Sequence, residues 1–307
     1  MRTKFLIVCA VALMTGELFA AGEPAKFLWM GIGARGLAMG NTGTAYINTP
    51  WAPFYNPASV SARGKFSGAA SNQFLALDRK IYAATISAEI YEEAGVGLTW
   101  IHSGVSGVES RNEDGQKTGT VANGNDAIFF AFGKELAGKF HLGLGVEYIE
   151  SSIENVTVTT AGFGGGVSYR IQKPDITIGF VAQNLFMKFL WNSNNYYGTG
   201  QTVEEKVPEL VRGGVSYNFR VGGAECNLSA DIRDYPSAGK FKYGIGAEVN
   251  PIPQISIRGG FNGEHPTFGI GVRTKLGKLS NIGVDYALVP ENWGVAPRHI
   301  VDLMVEY

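Results

Sequence analysis

Beyond its N-terminus the sequence has no apolar run approaching about 18 residues, which excludes helical membrane spans from the rest of the chain. Charge is scarce, at 17% of 307 residues, and the formal net charge is only −1. A nucleic-acid partner, which favours a basic surface, is therefore not expected. Cysteine occurs twice, at Cys9 and Cys226. Loss of Cys9 with a leader leaves one thiol and no internal disulfide. The four histidines show no metal-ligand spacing, and neither HExxH nor GxSxG occurs. His102-Ser103 is the one adjacent pair of catalytic residue types, with no further partner in sequence. No enzymatic activity, metal or cofactor is expected.

What is present begins with an export leader. Arg2 and Lys4 precede an apolar run over residues 5–14, and the small residues Ala20, Ala21 and Gly22 follow it. This predicts a secretory signal over residues 1–21, too short to span as a helix, which needs about 20 apolar residues. Its removal takes two cations and one anion from a net charge of −1, leaving −2.

The remaining chain is rich in glycine, with 42 residues, and has a mean hydropathy of +0.02. That balance fits strands with one apolar and one polar face. Phe241, Tyr243, Ile245, Ala247 and Val249 alternate with Lys242, Gly244, Gly246, Glu248 and Asn250. Val215, Tyr217 and Phe219 alternate with Ser216, Asn218 and Arg220. Leu142, Leu144, Val146 and Tyr148 alternate with Gly143, Gly145 and Glu147. Only helices and closed barrels satisfy every backbone polar group in lipid, and the helical solution is absent. The pattern predicts an all-β, transmembrane antiparallel barrel of about fourteen strands in the outer membrane of a Gram-negative-type bacterium. Segments are expected to begin near Lys65, Lys80, Gly95, Asp126, Phe140, Thr157, Ile176, Pro208, Ala224, Lys240, Ile255, Thr267, Leu279 and Arg298.

Connection lengths agree with this count. If the first strand runs outward, the long connections 111–125, 187–207 and 289–297 all lie on the outer side, where such barrels carry their longer loops. Val301, Leu303, Val305 and Tyr307 share one face of the last strand. A terminal strand ending in an aromatic resembles the signal read by the outer-membrane barrel assembly machinery, an expected partner together with outer-membrane lipid.

Residues 22–64 do not alternate. Gly31, Gly33 and Gly36 match GxGxxG, but no βαβ pattern follows and the next acid is Asp78, too late for a dinucleotide site. The run Gly33-Ala34-Arg35-Gly36-Leu37-Ala38-Met39-Gly40, then Ala45, then Phe54-Tyr55-Asn56-Pro57-Ala58, resembles the N-terminal signature of FadL/PorV/PorQ outer-membrane barrels. The resemblance implies a fourteen-stranded barrel over residues 65–307 and a luminal plug or hatch over residues 22–64, anchored at Asn56, Pro57 and Ala58. Its PorV/PorQ side implies a role in protein secretion with type IX-like secretion components as partners. Its FadL side implies transport of long-chain fatty acids or other small hydrophobic compounds. It further implies a lateral gap near Gly104 and Gly107.

Two sets of side chains carry candidate binding chemistry. Phe189, Leu190, Trp191, Tyr196 and Tyr197 form an apolar cluster in the 187–207 connection, suited to an apolar ligand or a protein partner. Strand parity points Glu147, Arg212, Asp231, Arg233, Lys242, Glu248, Arg258, Arg273, Asp285 and Asp302 into the lumen. There they either select permeants or form a solvated ion-pair lattice that stiffens it. Luminal glycines such as Gly244, Gly246 and Gly271 either leave room or relieve curvature.

Overall fold

The computed structural model describes residues 23–47, 49–62, 66–192, 194, 200–277, 280–292 and 294–307. The leader, Tyr196, Tyr197 and Trp293 lie outside these residues, as do the expected strand starts Lys65 and Leu279.

Fourteen strands close into an antiparallel barrel. They are β1 (Phe66–Phe74), β2 (Lys80–Tyr91), β3 (Ala94–Arg111), β4 (Lys117–Leu136), β5 (Phe140–Ile153), β6 (Val156–Gln172) and β7 (Asp175–Leu185), followed after an excursion by β10 (Leu210–Val221), β11 (Ala224–Tyr235), β12 (Lys240–Ile252), β13 (Ile255–Phe261), β14 (Pro266–Leu276), β15 (Ser280–Val289) and β16 (Arg298–Glu306). The excursion is a separate hairpin of β8 (Lys188–Asn192) and β9 (Thr202–Lys206). Each barrel strand pairs with its neighbour in the chain, and β1 pairs with β16 from Ser67↔Glu306 to Phe74↔His299. The closed wall leaves no open edge within the ring of fourteen strands, so its backbone groups find partners away from water.

The alternation read from sequence sets the two faces. Ile178, Phe180, Leu228, Ile232, Tyr243, Ile245, Ile257, Phe268 and Leu303 are exposed on the outside. Their neighbours Thr177, Asn227, Asp231, Arg233, Glu248, Arg258 and Asp302 are buried inside. An apolar exterior in contact with lipid accounts for exposed side chains that water would penalise.

Two connections differ from expectation. The stretch 111–125 is mostly strand: β3 and β4 pair far beyond their neighbours, to Arg111↔Lys117, and only a tight turn joins them. The strand expected to begin near Asp126 therefore begins at Lys117. The stretch 187–207 is also no open loop, since it contains the β8–β9 hairpin. At Gly104, where a lateral gap was expected, the ladder is paired. There β3 is paired on both sides, Gly104 lying opposite Lys80 of β2 and Gly124 of β4. Gly107, at φ 72°, lies beyond the end of β2, within a β3–β4 register shift between Val105 and Val108. The irregularity therefore falls in the protruding part of the hairpin.

Residues 23–47 and 49–62 lie inside the cylinder, with short turns of helix that include Ala34–Ala38 and Ala52–Tyr55. Leu28, Trp29, Ile32, Trp51, Phe54 and Tyr55 pack with the inward-facing Ile81, Ile101, Phe129, Ile149 and Val158 of β2 to β6. Phe54 meets Phe129 edge to face with ring centroids 5.3 Å apart. A uniformly hydrophilic interior is thus corrected: the β2–β6 side of the lumen is an apolar core. Strands such as β4 have apolar residues on both faces because lipid lies on one and the plug on the other.

Candidate functional site

The plug and the cavities at its two ends form the candidate site. Close approach of backbone to backbone seats the plug, and glycines on the inner wall permit it. A Cβ on Gly143 of β5 would overlap Ala58 N and the Pro57 carbonyl carbon. One on Gly244 of β12 would overlap the Gly40 carbonyl oxygen, and one on Gly179 of β7 the Thr44 carbonyl oxygen. Gly95, Gly133, Gly246, Gly260 and Gly269 meet the plug in the same way. Of the luminal glycines singled out in the sequence, Gly244 and Gly246 seat the plug, whereas Gly271 makes room for Asp285 and the Arg258 guanidinium.

Polar anchors fix the register. Asn56 Nδ2 donates to Thr44 O at 2.8 Å and to Ser168 Oγ of β6 at 2.9 Å, and Asn56 Oδ1 accepts from Ala58 N at 3.0 Å. Pro57 has no N–H to leave unpaired inside this turn. Asp231 Oδ2 of β11 accepts from Gly43 N at 2.9 Å, Thr44 N at 2.9 Å and Thr44 Oγ1 at 2.7 Å. Asp302 Oδ2 of β16 accepts from Ala34 N at 2.7 Å and Trp51 Nε1 at 3.2 Å. Gln183 of β7 donates to Phe54 O at 2.8 Å, and Gln73 of β1 to Gly31 O at 2.9 Å. The Asn56→Ala substitution removes a fully buried amide and strands its partners, so it should cost about 3 kcal/mol. Urea unfolding of the detergent-refolded barrel, followed by circular dichroism, measures that loss; an unchanged midpoint would deny the anchor.

The luminal charges form a buried chain that reaches into the plug. Arg35 of the plug binds Glu248 of β12 bidentately, at 2.9 and 3.0 Å. Glu248 accepts from Arg258 Nε of β13 at 2.5 Å, and Arg258 Nη1 donates to Asp285 of β15 at 2.6 Å. Arg273 of β14 closes the chain on Asp285 with two bonds of 2.9 Å. The Arg35 guanidinium also lies 3.2 Å from the Tyr46 ring centroid. Of these groups only Arg273 keeps substantial solvent contact, so the lattice is dry rather than solvated. Glu147 of β5 is also buried and accepts from Asn184 N at 2.7 Å. Burial pushes the Tyr55 phenol up to about 12, although Arg212 and Arg233 oppose that shift. It donates to Ile32 O at 2.8 Å.

Above the plug, on the side of the β3–β4 hairpin, a cavity of about 550 Å³ opens at the mouth. Phe27, Trp29, Met30 and Leu37 of the plug and Leu75, Ile81 and Val289 of the barrel give it apolar walls. Its polar lining includes Arg233, Lys242, Glu264 and Arg298. Lys242 pairs with Glu264 at 3.0 Å, and that hydrogen bond holds the Glu264 carboxyl below its ordinary range. Below the plug lies a polar cavity of about 330 Å³, bordered by Tyr46, Arg170, Asp175, Arg220, Glu225 and Asn250.

The hairpin cluster is rearranged relative to expectation. Phe189 is 1% exposed and packs in the apolar core beside Met187, so it is no free contact residue. Trp191 packs on that core and donates to Glu205 at 2.8 Å, while Leu190 remains exposed on the other face. Sequence reasoning missed Gly31, Gly40 and Gln73 as plug contacts. The glycine-rich inner faces were the available signal, without an indication of what they meet.

No protein-family profile matches the sequence, and no curated protein matches it. Solved structures do. The toluene transporter TbuX of Ralstonia pickettii superposes with a TM-score of 0.65 at 16% identity, covering 91% of this chain and 98% of that one. The toluene transporter TodX of Pseudomonas putida gives 0.62 at 12% identity, with coverage of 90% and 97%. A FadL homologue of Pseudomonas aeruginosa gives 0.62 at 12% identity, with coverage of 89% and 97%. With its lipid-facing apolar exterior, closed fourteen-stranded wall and N-terminal segment held within, the chain is an outer-membrane β-barrel with the FadL-like fold.

Proposed function

We propose that this barrel conducts small apolar molecules across the outer membrane. The mouth cavity carries the reading: apolar plug and wall side chains line a recess of about 550 Å³ beside the water-facing rim. A recess of that size suits a small ligand, and its apolar patches among polar rim groups suit one with a mainly apolar body. The fold shared with structures described as toluene transporters supports the same class of cargo. Residues 22–64 act as a hatch, which must shift for cargo to pass because the plug and the apolar core fill the middle of the lumen. Leu190 and Trp191 offer a first apolar contact at the rim.

A PorV/PorQ-type role in secretion has less support. The Asn56-Pro57-Ala58 motif behind that resemblance is consumed inside the lumen and presents nothing to a secretion partner. The test is entry of radiolabelled toluene into bacteria producing this barrel in a lipopolysaccharide-covered outer membrane. Entry should rise several-fold over cells without the barrel, with glucose entry unchanged. Equal toluene entry in both would end this reading.

A further inference from the structure

Three luminal cations stand in one row across the sheet. Arg212 of β10 lies directly opposite Arg233 of β11, and Arg233 directly opposite Lys242 of β12. Like charges facing each other across strands destabilise a sheet. Lys242 has Glu264 as a partner. The two arginines form no ion pair among the described residues, although they are 1% and 2% exposed. Arg212 Nε and Nη1, Arg233 Nε and the Tyr235 hydroxyl are buried donors with no protein acceptor. The nearby carboxylates Asp231 and Glu147 lend opposite charge, but their hydrogen bonds go to other groups: Asp231 Oδ2 accepts from three plug donors, and Glu147 accepts from Asn184 N. Aromatic faces compensate only in part, with the Arg212 guanidinium 5.2 Å from the Phe54 and Tyr55 ring centroids. Buried guanidinium donors left without an acceptor are costly, which argues for a further hydrogen-bonding partner of anionic character.

We propose that Arg212, Arg233 and the Tyr235 hydroxyl form a binding site for an oxyanion at the floor of the mouth cavity. Arg233 lines that cavity, and Trp29, which also lines it, stacks on Tyr235 at 4.0 Å. Arg212 and Tyr235 lie behind them, fully buried, so a ligand arriving from the mouth reaches Arg233 first and must move the Trp29 ring to reach the other two. Two guanidinium forks and a phenol suit a carboxylate, sulfate or phosphate group, which accepts several hydrogen bonds from planar donors. Once bound, the anion neutralises the row and ties β10 and β11 to the plug through Tyr55 and Trp29. The site stands whether or not the barrel conducts apolar solutes.

Equilibrium dialysis of the full barrel in nanodiscs against ³⁵S-sulfate tests it, with laurate and dodecanol as competitors. Saturable sulfate binding is expected, weakened at least about tenfold in Arg212→Met/Arg233→Met. Arg233→Lys, which keeps the charge but loses the fork, should bind more weakly than wild type and serves if the double variant does not fold. Displacement by laurate but not by dodecanol would assign the site to the carboxylate of an amphiphile. Sulfate binding that laurate leaves untouched would assign it to a free oxyanion. Absence of saturable binding by both sulfate and laurate, or undiminished binding in a folded arginine variant, would overturn the proposal.

Discussion

Gly143→Leu should unseat the plug while leaving a barrel that still inserts into membranes. Its Cβ alone would overlap Ala58 N and Pro57 C, which are backbone atoms with no rotamer to change. Overpacking into flexible surroundings already costs about 1–3 kcal/mol, so a collision with backbone lies at or above the upper end. The wall has an independent source of order, because β5 is paired along its length with β4 and β6. The expected result in planar bilayers is ionic conductance through a lumen that is blocked in the wild type. Loss of the plug would also expose the inner faces of β2 to β6, so the open variant should bind a hydrophobic dye. A variant as non-conducting and as heat-stable as the parent would refute the glycine seat.

Glu248→Gln should have an effect of similar size by a different route. Glu248 is the carboxylate shared by Arg35 of the plug and Arg258 of the wall. Its loss leaves Asp285 as the remaining carboxylate of a chain with three guanidinium groups, and takes the only ion-pair partner of Arg35 among the described residues. Breaking a buried pair by removing one partner costs about 3–5 kcal/mol, much of it the desolvation of the charge left behind. Trypsin provides the readout, since the buried Arg35 is out of reach while the plug is seated. Cleavage after Arg35 should be at least about tenfold faster in the variant, because plug release of that cost is an open-state population effect. Unchanged cleavage would place the plug's attachment elsewhere. Gly143→Leu and Glu248→Gln act on opposite walls, so similar phenotypes from both would identify the plug as one unit.

Much of this architecture was legible in the sequence wherever a strand has lipid on one side and polar groups on the other. Residues 241–250 are the clearest case, because Tyr243 and Ile245 face out while Gly244 and Glu248 face in. The outer half of the β3–β4 hairpin was misread as loop for a physical reason. Beyond the membrane both its faces meet water, so residues such as Glu109 and Thr120 impose no alternation. The β8–β9 hairpin, with strands of five residues, is too short for a periodic signal. The seat of the plug was half legible. Parity placed Gly143 and Gly244 inside, but their partners Ala58 and Gly40 are distant in sequence and carry no local mark of the contact. The luminal charges were placed on the correct face, yet their connection to Arg35 depends on a contact between residues 213 positions apart.

Closure of the cylinder also bears on the plug. The plug precedes β1 in the chain, while the carboxylate that receives Ala34 and Trp51 belongs to β16, the strand that closes the barrel against β1. Zipping Ser67 to Glu306 and docking the N-terminal segment are therefore coupled through β16. With that seam open, Ala34 and Trp51 would lack the Asp302 anchor, so the wall's last pairing and the seating of the plug depend on the same strand.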